Sequence, residues 1–191
     1  MIEQNLSIEE TSLWENFPHN LHIESLLKRC QDMHVSFHTS PVPEQWLYHP
    51  AYRTIFIWEP DLQQQSLSYL VVILAHELGH AVDFDRHPEH VLQVRDIHWS
   101  QAPDHVERAA FVNGFHILKE LCIPISLHDY LLMIDQDMSG QVKRTLDMEM
   151  CCLLSPRQGV SRLDKRRKPR HAPRHSETAM AAVAAPMGER L

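Results

Sequence analysis

Apolar positions along this chain recur at two spacings, and together they lay out helices alternating with short strands. Over residues 21–32, Leu21, Ile23, Leu26, Leu27 and Cys30 fall roughly on one helical stripe. The spacing then shortens to two. Val35 and Phe37 alternate with His34, Ser36 and His38, which predicts a strand that Pro41 and Pro43 break. The β-branched and aromatic run Thr54-Ile55-Phe56-Ile57-Trp58 predicts a second strand. Asp61, with Gln64 three residues on, is placed to cap the element that follows.

From about residue 62 to residue 84 the period is helical again, carried by Leu67, Leu70, Val71, Leu74 and Leu78. Val72, Ile73, Ala75, Ala81 and Val82 make the other faces apolar too, so this helix is expected to be buried on most sides. Residues 85–103, rich in His, Asp and Pro, are expected to form a connecting loop. Asp104 opens a second strong helix that stops before Pro124. Shorter helices are expected around residues 127–134 and, after Gly140, around residues 142–154, with Cys151 and Cys152 in the core. Beyond Pro156 the periodicity is lost. The expected organisation is therefore one domain over residues 1–155 and a basic, disordered tail over residues 156–191.

Charge changes this picture in one respect. Residues 157–191 hold nine of the 18 Lys/Arg and three of the 25 Asp/Glu, so the tail carries +6 and the body −13. An acidic body lacks the clustered cations that phosphate contacts need, so direct nucleic-acid binding is not expected there. The basic tail, with Lys165-Arg166-Arg167-Lys168, leaves room for an acidic partner. The four cysteines form no CxxC pair and suggest no disulfide framework, which fits a reduced cytoplasmic setting. The N-terminus has no signal-peptide pattern, and the longest apolar run, residues 69–75, is too short to span a membrane.

Polar residues inside a buried helix need a reason to be there. Here they are His76-Glu77-Leu78-Gly79-His80, an HExxH motif. Residues four apart lie one turn apart on the same helix face, so both imidazoles can reach one metal ion. Glu77 projects beside that pair, where a carboxylate can take a proton from water and pass it to a leaving amine. The zinc peptidases that carry Gly three residues and His or Asp six residues after the second His are excluded, because those positions are Asp83 and Arg86. A third ligand must then come from elsewhere. Glu107, 27 residues after His80, is a candidate; it also completes a capping box with Asp104. Lesser candidates are Asp83, Asp85, His87 and His90 for a second metal site or for orienting His80. Tyr48 or Tyr52 is a candidate oxyanion donor, and His105 and His116 are expected at the surface.

The order helix, strand, strand (RTIFIW), a helix with LAHELGH and a helix with ERAAFVNGF resembles the ImmA/IrrE-type metallopeptidases over residues 20–125. The resemblance implies a zincin-like α+β fold, with a small β-sheet packed on the buried HExxH helix and on a second ligand-bearing helix. It implies Zn2+ bound by His76, His80 and Glu107, with Glu77 as catalytic base. It also implies a protein substrate of the helix-turn-helix transcriptional repressor kind. Two departures stand out: Ala109-Ala110-Phe111 lacks the Asn of the family pattern, and Pro124 comes later than its proline. The expected function is zinc-dependent endopeptidase. Its rival is a zinc-binding regulatory or interaction protein with little catalytic activity.

Overall fold

The structure, a computed structural model, describes residues 13–95, 97 and 101–154, with the backbone alone for the last three of these. The expected tail over residues 156–191, including Lys165 to Lys168, lies outside the described residues. After a single turn, α1 (Leu13–Asn16), helix α2 (Leu21–Asp32) starts where the Asn20 side chain accepts the amide of His22 at 2.9 Å. Its stripe buries Ile23, Leu26 and Cys30, whereas Leu21 is exposed.

Three strands follow, β1 (Ser36–Thr39), β2 (Trp46–His49) and β3 (Thr54–Ile57), arranged in the order β1-β3-β2. The central strand β3 pairs parallel with β1, Phe37 opposite Ile55, and antiparallel with β2, Tyr48 opposite Ile55. Burial of Ile55 and Ile57 explains the central place of β3. Strand β2 was not expected from the sequence. It is four residues long, holds no β-branched residue, and lies between Pro43 and Pro50. It forms an edge of the sheet, and its outer side borders the candidate site.

The predicted continuous helix over residues 62–84 is in fact two, α3 (Asp61–Gln64) and α4 (Leu67–Arg86). Gln65 is extended, and Ser66 restarts the helix by accepting the Tyr69 amide at 3.2 Å. Asp61 is not a cap. It is buried and takes the indole N–H of Trp46 at 3.0 Å and the Gln65 amide group at 3.2 Å, which ties β2 to the α3 turn. By length and composition α4 is apolar enough to cross a membrane, but 72% of its most apolar stretch is buried within the body.

The expected loop over residues 85–103 contains a short helix, α5 (Pro88–Val94). Pro88 at its first turn suits a helix start, and Val91 and Val94, three apart, pack against the core. Helix α6 (Asp104–Glu120) carries the second long stripe, with Val106, Ala110, Ile117 and Leu118 buried. Helix α7 (Leu127–Leu131) docks through Tyr130, whose hydroxyl donates to the Phe111 carbonyl at 2.8 Å. Helix α8 (Gln136–Leu154) begins earlier than expected and runs straight through Gly140. Its buried face is Val142 and Leu146, and Cys151 is exposed, contrary to expectation; the side chain of Cys152 is not among those described.

The close crossing of α4 and α6 positions the site. A Cβ on Gly79 would overlap the carbonyl of Ala110, and one on Gly114 would stand 2.8 Å from the carbonyl of Ala75. Ala75 and Gly79 on one helix thus face Ala110 and Gly114 on the other, each pair four residues apart. Small residues at this spacing let two backbones approach until main-chain atoms touch. Any larger side chain at Gly79 would push α6, and the carboxylate it carries, away from the histidines.

Candidate metal centre

His76 and His80 occupy one face of α4, four residues apart, as the motif spacing predicts. Both are buried, and their ring centroids lie 4.6 Å apart. Glu107, in the first turn of α6, reaches across the crossing point. Its Oε2 lies 3.4 Å from Nε2 of His76, and its Oε1 lies 3.5 Å from Nε2 of His80. The capping box does not form: α6 starts at Pro103 with no side-chain cap, and the Glu107 carboxylate points to the histidines.

Each imidazole is also held flat against a phenylalanine. Phe111 stacks on His76 at 3.9 Å, and Phe84, one turn beyond His80, stacks on it at 5.6 Å. The rings therefore present only their Nε2 edges to Glu107. Their Nδ1 atoms are buried and find no partner among the described residues, a departure from the usual pattern in which the second ring nitrogen donates to the protein.

The electrostatics follow from this enclosure. Burial alone would raise the Glu107 carboxyl, but the two imidazoles outweigh it and hold the group well below the usual carboxylate range. For His80, burial disfavours the charged ring, yet the bond to Glu107 and the nearby carboxylates of Glu77 and Asp83 raise its pKa above the ordinary value. The pocket thus attracts positive charge. Two imidazoles and a carboxylate, with all three ligand atoms within 4.8 Å of one another, can hold a metal ion. The set is nitrogen and oxygen donors in a cleft that opens to solvent, which fits a divalent ion and leaves room for a further ligand. Neutral rings are the ligating form, so metal binding here releases protons.

Glu77 is buried beside this group and lines the same cleft. One carboxylate oxygen accepts the backbone N–H of Tyr48 on β2 at 2.6 Å. The other oxygen has no protein partner among the described residues. The edge strand thus fixes the orientation of Glu77 through a main-chain amide. Tyr48 itself is buried, its ring tilted against Phe84 at 6.1 Å, and burial pushes its phenol upward. Tyr52 is 70% exposed, stacks on His49 and does not line the cleft. Tyr69, seven residues before His76 and on the same face of α4, does line it. Burial first, then the carboxylates of Asp61, Glu77 and Glu44, raise its pKa, so it remains a proton donor. The seven-residue spacing from His76 is the sequence signal that places Tyr69 on this face.

The second acidic and histidine-rich group does not assemble. Asp83 is buried and bonds His90 on α5 at 2.7 Å. Asp85 is exposed and pairs with Arg53, the guanidinium holding its carboxyl below the usual range. His87 pairs with Glu89 at 3.3 Å. Among the described residues, His76, His80 and Glu107 are the one group of three that meets as metal ligands do. His105 is exposed, edge-on to His90, and the exposed His116 pairs with Glu149. Comparison of the chain with protein-family models, with curated proteins and with solved structures gives no match.

Proposed function

We propose that this chain is a zinc-dependent endopeptidase with a zincin-like core, of the ImmA/IrrE type. The observation that carries the reading is the convergence of two Nε2 atoms and the Glu107 carboxylate beside a buried, strand-anchored Glu77. A closed structural zinc site would fill its fourth position with Cys or His. Here the ligand group instead borders a cleft of about 680 Å³, a size that suits a peptide segment. Phe111, in the segment where the family's Asn is missing, lies flat on His76 and supports the ligand by packing.

Zinc held by His76, His80 and Glu107 would lower the pKa of a water to about 7 and polarise the scissile carbonyl. Glu77, fixed at one oxygen by the Tyr48 amide, would have its other oxygen free to accept a proton from water. It then delivers the proton to the departing amine. The edge strand β2 borders the cleft; its Tyr48 amide is taken by Glu77, and its other outward backbone groups would be offered to an extended substrate. The substrate class we assign is a cytoplasmic protein, a helix-turn-helix repressor being the one that the family resemblance suggests.

Incubation of untagged, zinc-loaded protein with a denatured protein and with a helix-turn-helix repressor tests the reading. Cleavage of either is expected to stop on chelation and to return with zinc. No cleavage, or cleavage indifferent to chelation, would contradict it.

A further inference from the structure

One wall of the cleft is built from α5, a helix of seven residues with no buried side chain of its own. So short a helix does not hold itself together in water. Its N-terminal end is fixed by the chain, since only His87 separates it from α4. Its middle is fixed by His90, whose Nδ1 bonds Asp83 Oδ2 at 2.7 Å, the two side chains being 16% and 2% exposed. Asp83 lies three residues beyond the ligand His80, so this bond ties α5 to the helix that carries both histidines. The residue after His90 is Val91, and a turn further on is Val94; both line the cleft and pack against the core. Ile73, one turn before the HExxH motif, lines the cleft from α4. Ile73, Val91 and Val94 thus give the cleft an aliphatic section, and the residues of β2 line another part of it.

We propose that α5, pinned to α4 through His90 and Asp83, forms with Ile73 an apolar subsite that selects a large apolar side chain next to the scissile bond. The inference rests on the peptidase reading, because continuity with the metal centre defines which substrate residue reaches this wall. An extended peptide lying against β2 with its carbonyl at the ligand group turns a neighbouring side chain towards Ile73, Val91 and Val94. Charged side chains there would lose water and gain no partner from those three residues. His90 and Asp83 are positioning residues: they touch neither substrate nor metal and act through the placement of α5.

The test uses zinc-loaded, full-length protein and hydroxamates, which bind through the metal and need no turnover. Acetohydroxamate reports the metal centre alone, and peptide hydroxamates with Leu, Phe, Gly or Asp beside the hydroxamate report the subsite. The Leu and Phe compounds are expected to bind ~10-fold or more tighter than the Gly compound, the gain of burying one such side chain. Val94→Asp should remove that preference and leave acetohydroxamate binding unchanged. Val94→Thr keeps the shape of the side chain and should reduce the preference even if the aspartate variant does not fold. His90→Ala should lower the ratio of Leu to Gly affinity; a merely structural role would lower the melting temperature and leave the ratio alone. Equal affinities for the Leu, Gly and Asp compounds in a protein that binds acetohydroxamate would overturn the subsite. Failure to bind acetohydroxamate would overturn the metal centre itself, and the subsite with it.

Discussion

Glu77→Gln protein is expected to keep its metal and to lose peptide cleavage by ~100-fold or more, the span that general acid–base catalysis typically supplies. Among the described residues Glu77 pairs with neither histidine, and its one hydrogen-bond partner is the Tyr48 amide at 2.6 Å. A glutamine side-chain oxygen can accept that same bond, so the strand contact and the local packing survive. What the amide cannot do is accept a proton from water. Metal content and cleavage rate are therefore expected to separate in this variant, the first unchanged and the second nearly abolished. Loss of metal together with activity would place Glu77 among the ligands, which its anchoring to β2 argues against.

Glu107→Ala is expected to give the opposite pattern, losing metal and activity together. Removing a partner in the outer shell of a metal site commonly costs ~10–100-fold in affinity, and the proposed role of Glu107 is that of a ligand, so the loss should be larger. The competing account gives Glu107 only a place in the first turn of α6. There an acidic side chain contributes about 0.3–1 kcal/mol through the helix dipole, and its removal would leave metal in place. The geometry favours the first account, because the carboxylate sits 3.4 and 3.5 Å from the two Nε2 atoms and caps nothing. Metal analysis and the melting temperature of the chelated protein, measured on one preparation, distinguish the two.

How much of this could be read from the sequence depends on how the information is carried. The pair His76 and His80 was legible because both lie on one helix, where spacing fixes geometry. The long stripes of α4 and α6 were legible because many apolar residues repeat the same period. Glu107 was legible only as two alternatives, since first-turn position serves a cap and a ligand alike; the tertiary contact turns its carboxylate to the two histidines, and no cap forms. Strand β2 was hidden by its length and by the prolines near it. Helix α5 was hidden because it buries no side chain completely, leaving no apolar stripe to detect. The Tyr48 contribution left no trace at all, because a backbone amide carries it and any residue but proline supplies one. The break at Gln65-Ser66 does not show in the apolar pattern, because Asp61–Gln64 holds one apolar residue, Leu62, and sets no period of its own, although Ser66 is a legible start signal. The small pairs Ala75 with Gly79 and Ala110 with Gly114 were in plain view. Their meaning appears only when the two helices are set against each other.

The central claim is that His76, His80 and Glu107 together hold one catalytic divalent ion, and it has a direct measurement. Protein purified without a histidine tag and without added chelator is weighed for metal per chain, and the bound ion is probed by X-ray absorption. The account predicts close to one zinc per chain, with two imidazole nitrogens and carboxylate oxygen in its first shell. A chain that carries no divalent metal, and takes up none when zinc is supplied, would contradict it.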